Sequence, residues 1–194
     1  MPKVVLNNSQ FHLAAQYLPC IIHGAEHSGS SFFSVACMAD LFLSGQKILF
    51  FTAYPMARDM LLSLTTDNKD SGTIFTPDEI EKEKGKAAII VKSGDEKLFV
   101  DTLKNLGDIN DRIIFIKNIE VFSEEIYDAV SSFKKIIFSG DIDRCKFKDK
   151  LLKKDFKSII MFSDMKATNF KLPELGQYEG LMLGETNGGI IVVK

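Results

Sequence analysis

The sequence predicts an α/β fold in three layers: a mostly parallel sheet, helices on both of its faces, and a C-terminal antiparallel hairpin at one edge. Three observations carry this. Short apolar runs without polar interruption, such as residues 47–52 (KILFFT) and 112–116 (RIIFI), have the pattern of strands buried on both faces, as parallel strands are. These runs alternate with stretches of helical periodicity, the order that builds strand–helix–strand units. The tail places apolar residues 178–183 and 189–193 on either side of Asn187-Gly188, a dipeptide that accepts the positive φ angles of a tight hairpin turn.

The elements follow in order. Residues 18–23 (LPCIIH) read as the first strand, and 30–43 (SSFFSVACMADLFL) as a helix of about four turns closed by Gly45, since glycine accepts the left-handed conformation that ends a helix. This helix is expected to pack on the sheet through Phe32, Phe33, Val35, Ala36 and Ala39. Strand 47–52 and helix 56–64 come next. Residues 65–86 are polar and charged, and are expected to form a surface excursion with one short helix, Thr76 as its N-cap and Pro77 at its first position. The alternation resumes with strand 87–92, helix 95–106, strand 112–116, helix 123–133, strand 135–139 and strand 158–162. No internal repeat or low-complexity segment interrupts it.

Of the 194 residues, 45% are hydrophobic and 26% charged, enough to bury on the order of 70% of the unfolded surface in one core. A single domain over 1–194 is therefore expected. No run approaches the roughly 18 apolar residues of a membrane span, and the opening MPKVVLNNSQFHLAAQ lacks the apolar core and cleavage site of a signal peptide. A cytoplasmic location without membrane contact is the expectation. Cys20, Cys37 and Cys145 share no metal-type spacing, so neither a disulfide framework nor a metal site is expected; Cys20 and Cys37 read as core. His12, His23 and His27 have no orienting third group, and Ser28 lacks the flanking glycines of a nucleophile elbow. No catalytic residue is assigned.

The loop after the first strand, Gly24-Ala-Glu-His-Ser-Gly29-Ser30-Ser31, has the glycine spacing of a phosphate-cradling loop. Such a loop surrounds phosphate oxygens with backbone N–H groups at a helix N-terminus, adds a lysine for the outer phosphates, and uses a hydroxyl for magnesium. Gly24, Gly29 and the hydroxyl of Ser31 are in place, whereas Ser30 stands at the lysine position. Amides and helix dipole alone favour an exposed anion by about 0.3 to 1 kcal/mol, so the cofactor expectation is none beyond weak ATP or anion binding. The other reading of the glycines is a tight strand-to-helix turn.

From about residue 15 to 194, the order of strand, glycine-rich loop, long helix, strand 47–52, strand 113–116, further strand and closing hairpin resembles the RecA and KaiC branch of P-loop NTPases. GQKILFFTAYPMARDML and IIFIKNIEVF resemble that group's second strand and Walker B strand. The resemblance implies a RecA-like sheet, and its departures imply a pseudo-ATPase. Lys117, followed by Asn118, stands where the family carries the magnesium-holding aspartate. Thr52-Ala53-Tyr54 offers no counterpart of the glutamate that polarises water, the next carboxylate being Asp59. Phosphoryl transfer depends on positioning and electrostatics, so losing lysine, metal ligand and base together removes nearly all catalysis. Glu120 is expected to be a solvated acid capping the next turn.

Residues 144–157 (RCKFKDKLLKKDFK) hold seven cations and two acids, a net of +5 that leaves −7 elsewhere. If helical, Lys146, Lys150, Lys153, Lys154 and Lys157 share one face. In RecA-like proteins the corresponding connection meets nucleic acid or a neighbouring subunit, and a basic patch binds phosphate backbone without base preference, although the net charge of −2 excludes an overall basic binder. Three readings stay open. The leading one is a non-catalytic RecA-like assembly, regulatory or adaptor subunit acting through a protein partner or self-association. The others are a nucleotide-binding or weakly active ATPase whose cation comes from elsewhere, Lys117 included, and a nucleic-acid-binding module using the lysine face.

Overall fold

The computed structural model describes residues 5–7, 15–53, 56, 59, 73–75, 87–91, 96–106, 109–166, 179–184 and 189–192. The described strands are β1 (Val5–Asn7), β2 (Cys20–His23), β3 (Ile48–Thr52), β4 (Thr73–Phe75), β5 (Ala87–Val91), β6 (Ile113–Lys117), β7 (Ile136–Gly140), β8 (Ser158–Met161), β9 (Glu179–Gly184) and β10 (Gly189–Val192). The helices are α1 (Ser30–Leu43), α2 (Glu96–Asn105), α3 (Glu124–Val130) and α4 (Lys148–Leu151). One sheet joins the strands in the order β1-β10-β9-β8-β2-β7-β6-β3-β5-β4. From β8 to β4 every pairing is parallel, while β9 is antiparallel to β8 and to β10. This is the predicted α/β architecture.

The continuous apolar runs divide between two cores by strict alternation, because successive strand side chains point to opposite faces. Phe50, Phe115, Ile137 and Ile22 pack with Phe33, Met38 and Phe42 of α1. Their chain neighbours Leu49, Phe51, Ile114, Ile116 and Phe138 pack with α2, α3 and α4 through Phe99, Leu103, Ile126, Tyr127 and Leu151. Here Phe51 stacks on Phe99 and on Phe122 at centroid distances of 4.3 and 4.4 Å.

Helix α1 ends as its sequence suggests. Gly45 takes φ 81°, its N–H donates to the Phe42 carbonyl, and the Gln46 N–H donates to the Leu41 carbonyl, the paired closure of a left-handed cap. Of the α1 residues expected to pack, Phe33, Val35 and Ala39 are buried, but Phe32 is 43% exposed and Ala36 partly so. Phe32 is one residue, about 100° of helix, away from Phe33 and takes a different azimuth in the first turn.

Two further differences concern the edges and the excursion. The hairpin does not form the edge, because β1 pairs parallel to β10 and lies outside it; three residues of mixed polarity gave no strand signal. Within the expected surface excursion, Thr73–Phe75 joins the sheet beside β5, a pairing that local polarity hides. The expected helix at 56–64, apart from Met56 and Asp59, the short helix after Thr76, and the turn at Asn187-Gly188 lie outside the described residues. No described helix is long and apolar enough to cross a membrane.

Candidate functional site

The topology opens a crevice beside β2. From β2 the chain leaves over the α1 face toward β3, while from the adjacent β7 it leaves over the opposite face through α4 toward β8. Adjacent parallel strands whose connections diverge in this way leave a crevice at their carboxyl ends, where ligands bind in such sheets. The two strand ends are tied across it by the Gly24 N–H donating to the Gly140 carbonyl at 3.2 Å.

The loop expected to cradle phosphate lies in this crevice. Gly29 adopts φ 91° directly before α1 and gives the helix no side-chain cap, so the first-turn amides are not satisfied in the usual way. Gly24 is required by crowding: a Cβ there would collide with the side chains of Ser28 and Ser30. Ser30, at the lysine position of the motif, is 5% exposed. Its Oγ accepts from the Ser28 hydroxyl at 3.2 Å, and its carbonyl accepts from the Ser34 hydroxyl at 2.6 Å. Ser34 in turn meets Ser139 at 2.5 Å. Ser30 is thus spent inside the fold and ties the loop to β7, while Ser31, one residue on, is exposed.

The cation arrives from another element. Pairing sets Thr52 beside Lys117 and Lys117 beside Ser139, one row across three strands and two residues beyond Phe50, Phe115 and Ile137, hence on the α1 face. From this row the Lys117 Nζ donates to the Ser31 Oγ at 3.3 Å and to the Asn118 Oδ1 at 3.4 Å. Asn118 holds φ 66°, and its Oδ1 also accepts from the Thr52 hydroxyl at 3.1 Å. Lys117 is only 2% exposed; burial pushes its pKa below the ordinary 10.5, and Glu120 pulls it partway back.

Magnesium does not fit these residues. In the P-loop pattern the ion sits between the loop hydroxyl and the carboxylate ending the Walker B strand, and magnesium takes near-octahedral oxygen coordination. Here the hydroxyl of Ser31 already accepts from an ammonium, and a divalent ion about 4 Å from that ammonium would meet a repulsion on the order of 8 kcal/mol at an effective dielectric of about 20.

Other candidates resolve into structural roles. His23, Asp141 and Asp143 present ligand atoms all within 4.8 Å of one another. The Ile142 N–H can only donate, so His23 Nδ1 accepts it at 3.2 Å and Nε2 carries the hydrogen, donated to the Asp164 carbonyl at 3.0 Å. Asp141 accepts from the Asp143 N–H and Asp143 from the Lys166 N–H. Both imidazole nitrogens are occupied, and the group ties β2, β7 and the end of β8 together. The Ala25 N–H, donating to Ser163 Oγ at 2.9 Å, anchors the loop to the same place. His27 is exposed beside Glu26. Glu120, expected to be a solvated acid capping the next turn, is half-buried and accepts from the Asp141 N–H at 3.0 Å, joining the ends of β6 and β7.

The basic segment does not form the continuous helix that would align its five lysines. Only Lys148–Leu151 is α-helical, because Ile142, Cys145, Phe147 and Leu151 are all buried in the second core and their uneven spacing bends the chain to reach it. Lys150 pairs with Glu124 at 2.6 Å and Asp128 at 2.9 Å, contacts that raise its pKa to about 12. Lys154 donates to the Ser131 carbonyl at 2.6 Å. Both are engaged with α3 and its C-terminal turn, whereas Lys146, Lys153 and Lys157 are exposed.

The sequence reading found the loop and named Lys117 as an outside source of charge. It did not find Thr52, Asn118, Ser34, Ser139 or Ser163. One signal was available: the apolar runs of β2, β3 and β6 end in His23, Thr52 and Lys117, and that of β7 reaches Ser139 just before its final glycine, all four side chains buried. Buried polar residues gathered at neighbouring strand ends are the unusual feature that marks a site.

No protein-family model matches the chain, and no curated protein matches it in sequence. Solved structures do share the fold. The genome packaging NTPase B204 from Sulfolobus turreted icosahedral virus 2, in complex with sulfate, aligns at a TM-score of 0.57 and 12% identity over 90% of this chain and 94% of that one. Its complex with AMPPCP aligns at 0.54 and 13%, over 88% and 95%, and its complex with ATP-gammaS at 0.54 and 12%, over 88% and 95%. With the strand order and the loop between β2 and α1, these similarities give the chain a P-loop NTPase-like fold.

Proposed function

We propose that this chain is a non-hydrolysing P-loop NTPase-like subunit whose loop from Gly24 to Ser31 holds nucleotide phosphates and which acts through contacts with a protein partner or further copies of itself. The observation that carries the reading is the Lys117 ammonium 3.3 Å from Ser31 Oγ. It restores a positive charge at the loop while displacing the magnesium on which phosphoryl transfer depends. Nucleotide complexes of the similarly folded packaging NTPase support nucleotide binding at the level of the fold.

Purified protein is expected to bind ATP and not to turn it over. Binding would show as a rise in melting temperature, since ligand at about 100 times its Kd stabilises by about 2.7 kcal/mol. Turnover near 1 per second, inside the ordinary enzyme range, that disappears in Ser31→Ala would overturn the non-hydrolysing assignment.

The net +5 of residues 144–157 favours a second reading, phosphate-backbone binding by the exposed lysines. Joint replacement of Lys146, Lys153 and Lys157 by alanine should then weaken binding to nucleic acid and reduce its salt slope by about 0.7 to 0.9 per lost contact. Lys150→Ala should leave that slope unchanged, and wild-type protein that shows no salt-sensitive binding at low ionic strength ends this reading.

A further inference from the structure

Resting on the reading that the loop holds nucleotide phosphates, we infer that the site takes the metal-free polyphosphate and rejects its magnesium complex, with the Lys117 ammonium in the place the ion holds in the P-loop pattern. In the motif the hydroxyl at the Ser31 position is a magnesium ligand; here its oxygen accepts from Lys117.

The lysine is held there by several elements. It stands in the row with Thr52 and Ser139, fixed by the pairing of β6 with β3 and β7, and it is almost fully buried. It also donates to Asn118 Oδ1, which is braced by the Thr52 hydroxyl and set by a left-handed turn. A magnesium complex entering the loop would have to break these bonds and push a buried ammonium aside. Among the described residues that end β6 no carboxylate compensates: Lys117 and Asn118 stand there, and Glu120 on the following turn is tied to the Asp141 N–H.

An ammonium is also a different ligand for phosphate. It presents N–H donors directly to oxygen and has no acceptor, whereas magnesium bridges phosphate oxygens to protein oxygens. Metal-free polyphosphate carries the larger negative charge and leaves those oxygens open to the ammonium and to the α1 amides. Repulsion of the metal complex and attraction of the bare anion act in the same direction, the combination from which specificity arises.

The test is equilibrium binding of ATP to the full chain in EDTA and through a magnesium chloride titration at constant ionic strength. The expected result is an apparent affinity that falls with the metal-free fraction of ATP, about tenfold weaker when one-tenth remains unchelated. ATP that binds equally well or more tightly with magnesium overturns the inference and leaves the nucleotide reading standing. ATP that binds under neither condition removes the nucleotide reading, and this inference with it.

Two variants locate the effect. Lys117→Met should lose binding in EDTA while remaining folded by melting. Lys117→Asp, which restores the carboxylate of the pattern, should bind more tightly as magnesium is added. A folded Lys117→Asp variant that magnesium still inhibits would overturn the assignment to Lys117. The wild-type titration decides the metal preference even if that variant does not fold.

Discussion

Phe33→Ala should destabilise the protein by about 3 to 5 kcal/mol, the cost of removing a large aromatic side chain from a close-packed core. Phe33 is 1% exposed and meets Phe162 at a ring-centroid distance of 5.1 Å. That second ring lies so close to β9 that a Cβ on Gly180 would come within 2.8 Å of it, so α1, the end of β8 and β9 are pressed into one stack that has little room to collapse into a cavity. For a domain of this size each kcal/mol moves the midpoint by about 2 to 4 °C, and calorimetry should show a fall of roughly 6 to 20 °C. The Phe33 N–H also donates to the Gly29 carbonyl, which places this residue at the end of the loop from Gly24 to Ser31. A variant that melts with the wild type would refute this packing.

Lys117→Met should have the opposite effect and raise stability, because an ammonium held in a buried place pays a desolvation cost that an apolar side chain of similar volume does not. Burial lowers the lysine pKa from 10.5, so the folded chain holds this proton less firmly than the unfolded chain does. Below the folded-state value the group is charged in both states and its full burial cost is present. As pH rises from there toward 10.5, the folded state releases the proton first and the cost is relieved. The advantage of Lys117→Met is therefore expected to be largest at neutral pH and to shrink as pH approaches 10.5. Chemical denaturation of both proteins across this interval measures it directly, and a variant less stable than wild type at neutral pH would show that the bonds to Ser31 and Asn118 outweigh desolvation. The two expectations connect stability to function: a residue that costs the fold free energy, in a row of buried polar side chains facing the loop, is the kind of group retained for a ligand.

Fold class was legible in the sequence because it depends on local pattern. Runs such as KILFFT and RIIFI can be satisfied only by strands covered on both faces, and the glycine at 45 marks a helix end by its own conformational freedom. The loop after β2 was legible for the same reason, since Gly24 and Gly29 are required by crowding and by backbone angle at their own positions. Strands β1 and β4 were not: β1 carries little strand pattern and pairs with β10 at the other end of the chain, while β4 is three residues inside a polar, charged stretch. The single helix expected to align the lysines failed on similar grounds: helical spacing from Lys146 to Lys157 is a local regularity, but only Lys148–Leu151 is α-helical, because buried Phe147 and Leu151 and the pairing of Lys150 with α3 bend that segment to a long-range demand. What tertiary structure alone decided is the content of the site. Thr52, Lys117 and Ser139 are far apart in sequence and become neighbours only through the register of three parallel strands, while Ser31 meets Lys117 because α1 crosses the face to which that row points. Register depends on every side chain in the sheet finding its face at once, and no local stretch of sequence contains that information.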